Sequence, residues 1–309
     1  MNVPILFLIF NRPQTTAIVF DKIKQQQPAK LYIAADGFRK NKEGEKALCE
    51  ETKRIVLDGI DWDCEIKTLF RNENLGCGRA VSQAITWFFE HEEEGIILED
   101  DCLPNESFFL YCADLLGQYR DNPTIMHISA TNLNDSQKFG DATYYFSNYP
   151  HIWGWATWRR AWASYNFELN DTKFYNNLID RLFTDPFEHR FWKTVLNTVD
   201  KIDTWDYQWM FSVFKSNGIC ANTNYNFILN IGFGEDATHT AYASPYTNLK
   251  QRHVERTVHP QQIKINKKGD LQFLKYTHGL EKRGYLNYFL MRGNNLLHKT
   301  KLLLRIIKK

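Results

Sequence analysis

Five apolar runs, at residues 3–10, 30–35, 64–70, 95–98 and 125–129, alternate with four segments of helical periodicity at 15–26, 43–57, 76–91 and 107–120. In the third of these segments Ala80, Ala84, Trp87 and Phe88 recur at three- and four-residue spacing, the mark of a helix with one buried face. Strands that alternate with helices form crossover units, so the first half predicts an α/β fold with a mostly parallel sheet covered on both faces. The alternation stops near residue 130. From Tyr144 to Trp209 the chain is dense in aromatics, including Trp153, Trp155, Trp158, Trp162, Trp192, Trp205 and Trp209. A ligand-handling first half and an aromatic second half imply a division of labour within one body.

Composition removes several classes. An aromatic content of 15% excludes a disordered chain, and a net charge of +2 gives no electrostatic footprint for nucleic acid. The six cysteines form no CxxC pair and no zinc spacing, which fits free thiols in a cytoplasmic protein. The run 3–10 is too short to span a membrane and ends in Asn-Arg-Pro, so it reads as the first strand.

Chemistry-bearing residues fall where strands end. Glu99-Asp100-Asp101 follows the apolar run Gly95–Leu98, at the strand edge where open α/β sheets bind ligands. Three adjacent carboxylates repel one another, and a divalent cation paired with a phosphate would offset them; Mg²⁺ or Mn²⁺ suits such hard oxygen donors. Asn11-Arg12-Pro13 closes the first strand and offers Arg12 to a phosphate or to a surface acid. Asp36-Gly37 closes the second, as a base- or ribose-binding carboxylate or a plain turn. The loop from Asn72 to Arg79, with Asn74, Gly76 and Gly78, opens a helix whose N-terminus favours anions.

Taken together, the Asn-Arg-Pro and Ala-Asp-Gly strand ends, the Asn-Leu-Gly-x-Gly-Arg loop and Leu-Glu-Asp-Asp resemble the nucleotide-sugar domain of a GT-A glycosyltransferase. The resemblance covers roughly residues 3–240. Glu-Asp-Asp is the form of the DxD motif in the inverting N-acetylglucosaminyltransferases. That resemblance implies a GT-A (Rossmann-like) fold, with Asp101 on Mn²⁺ or Mg²⁺. It also implies Glu99 and Asp100 on the ribose or sugar, Asp36 on the uracil, and Arg12 and Arg79 near the diphosphate, with Asn74 in the same donor pocket. In the second half, Trp153–Trp158 resembles the Gly-rich aromatic segment bordering the donor sugar, which puts Trp155 in the donor site. Trp205-Asp206-Tyr207-Gln208-Trp209 resembles the segment carrying the catalytic base, Asp206. Asp203 and Asp236 are alternatives for that role. His239 resembles a late histidine placed on the metal or diphosphate.

The implied organisation is a donor half at 1–130, an acceptor and catalytic-base half at 131–245, and a C-terminal extension at 246–309. The implied activity is metal-dependent transfer from a UDP-sugar to a glycan or glycolipid hydroxyl, inverting by single displacement. Residues 296–309 mix leucine and isoleucine with lysine and arginine, and as a helix would be amphipathic and cationic. Such a tail suits an anionic membrane surface at the inner face, or packs on the body with its lysines solvated. Three rivals stay open: a sugar nucleotidyltransferase, which wants a glycine-rich basic loop near the amino terminus; a non-catalytic carbohydrate-binding protein; and a retaining transferase.

Overall fold

The computed structural model describes residues 1–134, 136–232 and 249–277. Strands β1 (Ile5–Ile9), β2 (Lys30–Ala35), β3 (Glu65–Phe70) and β4 (Glu94–Glu99) alternate with helices α1 (Pro13–Gln26), α2 (Glu45–Gly59) and α3 (Gly76–His91). After β4 come β5 (Cys102–Pro104), α4 (Glu106–Tyr119), β6 (Ile125–Ser129), β7 (Tyr144–Ser147) and β8 (Trp155–Trp158). Next are α5 (Arg159–Trp162), α6 (Thr172–Leu182), α7 (Pro186–Leu196) and α8 (Asp206–Lys215). The chain then forms β9 (Ile219–Thr223), β10 (Ile228–Asn230) and α9 (Lys267–Thr277).

Eight strands form one sheet in the order β3-β2-β1-β4-β8-β6-β9-β7, and β5 pairs with β10 separately. Strands β1 to β4, β6 and β9 run in one direction, whereas β8 and β7 oppose their neighbours. The architecture is therefore the expected α/β one, a mostly parallel sheet flanked by helices. Periodicity announced none of β5, β7, β8, β9 and β10, and β8 is the one of these that lies in the middle of the sheet. Its four residues are all buried, so it shows no alternation of apolar and polar side chains.

Local chemistry explains the element boundaries. Pro13 starts α1 at a position where its missing N–H is no loss. Gly44, at φ 77°, stops the chain from entering α2 before Glu45. Asn105 caps α4, its side chain accepting from the Phe108 N–H at 3.2 Å. The core under the parallel half is built from Phe7, Ile9, Val19, Ile33, Ile96 and Leu98, with Phe108 and Phe109 of α4 against it. A second apolar cluster lies around Tyr149, Trp192, Phe211 and Phe214.

The described part of the C-terminal extension is tied to this body. Ile265 bridges Phe146, α9 packs on β7, and the fully buried Asp270 accepts from the Ser147 hydroxyl at 2.6 Å. The amphipathic tail at 296–309, His239 and Asp236 all lie outside the described residues. Among the described residues no helix is long and apolar enough to cross a membrane.

Candidate functional site

Parallel strands deliver their carboxyl ends to one edge, and a cavity of about 580 Å³ opens there. Its size suits a small-molecule ligand. The ends of β1, β2, β3 and β4 supply Arg12, Asp36, Arg71 and Glu99–Asp101, while the second half supplies Trp153, Asp203–Tyr207, Asn230 and Gly232. The acid cluster and Asp206, 105 positions apart from Asp101 in number, thus face one space.

Asp100 is anchored, with Oδ2 accepting from the Phe10 N–H at 3.1 Å. The Arg12 guanidinium pairs with Asp101 at 2.8 Å and lies 3.8 Å from Asp100. One arginine does not offset three acids. Burial and the charges of the neighbouring carboxylates push the Glu99 and Asp100 carboxyls well above the ordinary carboxylate range. Behind Asp101, the Ile231 N–H donates to its carbonyl at 2.8 Å. A Cβ on Gly232 would lie 2.3 Å from its Oδ2, so only glycine lets the segment after β10 close on the acid.

Asp36 performs a different job from the expected one. Its carboxylate accepts from the N–H groups of Gly37, Leu75 and Gly76 and from Asn74 Nδ2, at 2.9–3.1 Å. With both oxygens engaged, it fixes the β3–α3 loop to the end of β2 instead of offering an acceptor to a uracil. Asn74 also donates to the Gly37 carbonyl at 2.8 Å, so it shares that role.

The α3 N-terminus, a natural anion site, is already filled. Asp203 accepts from the Cys77 N–H at 2.9 Å and the Gly78 N–H at 2.8 Å. Gly76 adopts φ 80°, and a Cβ there would meet Asp203 Oδ2 at 2.5 Å. The glycines of this loop therefore admit a protein carboxylate, and Asp203 is a cap that joins the two halves. Three residues on, Asp206 opens α8, its Oδ1 accepting from the Tyr207 N–H at 2.9 Å and from the Thr204 hydroxyl.

Two expected donor contacts fall elsewhere. Arg79 points to the surface, paired with Glu168 at 3.0 Å and resting on the Phe167 ring, and it does not line the cavity. Trp155 is fully buried in β8, its ring stacked between His127 at 4.8 Å and Trp205 at 5.7 Å. Both faces are covered, so no sugar can stack on it; Trp153 and Trp205 border the cavity instead. Gly154, at φ 64° with the Ile228 side chain 2.4 Å from a would-be Cβ, is held for packing. Sequence reading missed two cavity-lining cations, Arg39, which pairs with Glu45, and, at the end of β3, Arg71. Arg71 donates to Gln83 at 3.1 Å, and its charge is disfavoured by burial. Its place after a strand, like that of Arg12, was the available signal.

Among the described residues no three or more His, Cys, Asp or Glu side chains are arranged to hold a metal by themselves. The donor chemistry nevertheless fits a hard divalent cation shared with a ligand's phosphates, because hard carboxylate oxygens sit on the cavity floor with excess negative charge.

No family model and no curated protein matches the chain. Some solved structures are similar at low identity and low TM-score. A cytidylyltransferase from Leptospira borgpetersenii is 11% identical, covering 66% of this chain and 74% of its own, with a TM-score of 0.34. A UDP-glucose pyrophosphorylase complexed with UDP-glucose is 9% identical, covering 72% and 90%, with a TM-score of 0.37. A UTP-bound UGPase from Acinetobacter baumannii is 11% identical, covering 94% and 98%, with a TM-score of 0.32. Likeness of this degree assigns neither activity nor site residues.

Proposed function

We propose that the chain is a nucleotide-sugar-dependent transferase that moves the sugar of a UDP-sugar to an acceptor hydroxyl. The observation that carries this reading is the meeting of Glu99–Asp101, Arg12, Arg71 and Asp206 in one cavity. Asp101, with Glu99 beside it, would hold Mn²⁺ or Mg²⁺, which when bound neutralises charge growing on a leaving diphosphate. Arg71 and Arg12 add fixed positive charge beside that group. Asp206, across the cavity on α8, accepts the proton of the attacking hydroxyl, and Thr204 and the Tyr207 N–H orient it. Attack from the side opposite the leaving group would invert the anomeric centre. Trp153, Ile202 and Tyr207 give that side apolar surface suited to the C–H face of a glycan acceptor. Six free thiols fit a cytoplasmic site of action.

A second reading, nucleotidyl transfer to a sugar phosphate, is the kind of activity for which the matched structures are named. It uses the same cavity. Against it stands the β1–α1 connection, only Phe10-Asn11-Arg12, with no glycine and too short to wrap a triphosphate.

Calorimetric titration of UDP with Mn²⁺ and with EDTA, on the native chain and Asp101→Ala, tests the shared donor site. Binding that needs both metal and Asp101 is expected. Release of free sugar from a UDP-sugar then marks glycosyl transfer, whereas UTP formation from UDP-sugar and pyrophosphate marks nucleotidyl transfer. If UDP fails to bind the folded chain with metal present, the UDP reading is lost.

A further inference from the structure

Charge is divided unevenly along this chain. Residues 1–248 hold 23 Lys and Arg against 33 Asp and Glu, whereas residues 249–309 hold 15 against 3. The near-neutral total hides an acidic body and a basic C-terminal fifth.

The described part of the basic portion is a strap laid along the molecule. Gln251 Nε2 donates to the Leu103 and Phe227 carbonyls at 2.9 and 3.0 Å, next to the strand that leaves the acid cluster. The strap is then held by Ser107 to the Val254 N–H at 2.8 Å, by Thr143 to the Val258 N–H at 2.8 Å, and by the Phe146 carbonyl to the Asn266 N–H at 2.7 Å. Seven cations from Lys250 to Lys275 are all exposed, and none joins an ion pair among the described residues. On α9 the buried side is Gly269, Asp270, Phe273 and Leu274, so Lys268 and Lys275 stand together on the opposite side. Exposed aliphatic side chains lie among these cations: Val258 is 46% and Ile263 45% exposed.

We propose that this strap docks the protein on an anionic phospholipid bilayer. Exposed cations are attracted to the negative headgroup surface, and interspersed aliphatic side chains gain by entering the headgroup–acyl boundary. The acidic body is repelled by the same surface, so the attraction also orients the molecule. Duplex nucleic acid suits this strap less well. Its phosphates would be met by the cations, but Val258 and Ile263 would gain nothing there. The inference is independent of the donor chemistry above, although a transferase on a bilayer would sit close to lipid-carried acceptors.

The test is co-sedimentation of the full chain with vesicles of phosphatidylcholine alone and of phosphatidylcholine with about a third phosphatidylglycerol, at moderate salt. Binding to the anionic vesicles only is expected. Each cation near such a surface contributes about fivefold in affinity. Lys264→Gln, Lys268→Gln and Lys275→Gln combined should therefore weaken binding on the order of a hundredfold with an unchanged melting temperature. Val258→Ser with Ile263→Ser should weaken it further while keeping the preference for anionic lipid. Absence of binding to anionic vesicles overturns the proposal, as does equal binding by the triple variant or tighter capture by duplex DNA. None of these outcomes touches UDP binding, so the two readings fail separately.

Discussion

The junction between Asp203 and the start of α3 supports a prediction whose size follows from the geometry. Asp203→Ala removes a carboxylate that accepts at 2.9 and 2.8 Å from two helix N-terminal N–H groups. Asp203 is solvent-exposed, so the capping range applies, about 1–2 kcal/mol. At about 2.1 cal/mol/K of unfolding entropy per residue, that loss lowers the melting temperature of a chain this long by roughly 2–3 °C. Gly76→Ala has two costs. Its φ of 80° disfavours a side chain by about 1–2 kcal/mol. The new Cβ also sits 2.5 Å from Asp203 Oδ2 and displaces the cap. The three nearest atoms to that Cβ all belong to the Asp203 carboxylate, so in the Asp203→Ala background only the backbone cost remains. The double variant should thus be less destabilised than the sum of the singles, by about 1–2 kcal/mol. Urea unfolding followed by tryptophan fluorescence measures all four corners of the cycle. Additivity to within about 0.5 kcal/mol would falsify the claim that this carboxylate occupies the α3 N-terminus.

Other outcomes follow from the same cavity and core. Arg71→Ala should weaken metal-dependent UDP binding about tenfold or more, whereas Arg79→Ala, an exposed residue paired with Glu168, should leave it within about twofold in the same titration. Gly232→Ala drives a Cβ into Asp101 and should cost UDP affinity on the order of tenfold, read by calorimetry beside a melting curve that rules out unfolding. Burial pushes the Asp270 carboxyl up to about 7 in the folded chain, against about 4 when unfolded. The folded state therefore holds a proton that the unfolded state has lost between those values. Stability from this group is fully present below about pH 4 and is lost as pH rises through 7, on the order of 3–4 kcal/mol at most. Urea midpoints at pH 5 and pH 8 should differ less in Asp270→Asn than in the native chain; an unchanged difference would remove Asp270 from the account.

The first half of the chain was legible because its signals are local. Lys30–Ala35, Ile125–Ser129 and Gly76–His91 were bounded correctly, since apolar run length and helical periodicity are properties of neighbouring residues. The gathering of Arg12 and Glu99–Asp101 at one edge followed from the parallel layout, which sends every strand end to the same side. Strand β8 was not legible, because a central strand buried on both faces carries no alternation. Nor was the fate of Trp155. A tryptophan in a Gly-rich aromatic segment looks the same in sequence whether its face is free or covered by His127 and Trp205. The roles of Asp36 and Asp203 turned on which N–H groups each carboxylate meets, contacts 40 and more than 120 positions away in the chain.

Those two carboxylates also limit where a diphosphate can lie. An anion bound at the α3 N-terminus would have to displace Asp203, which sits three residues before Asp206. Asp36 likewise closes the turn before α3 to a second anion. Among the described residues, positive charge at the cavity comes from Arg12, Arg71 and Arg39, the last paired with Glu45. Arg12 lies against Asp101 at 2.8 Å, the position a bound cation would compete for. Under the proposed transfer, a cation held on Asp101 would take this carboxylate from the guanidinium. The chemistry concentrates between β1, β3 and β4, and the glycine-rich loop, the most conspicuous anion-binding motif in the sequence, serves the architecture.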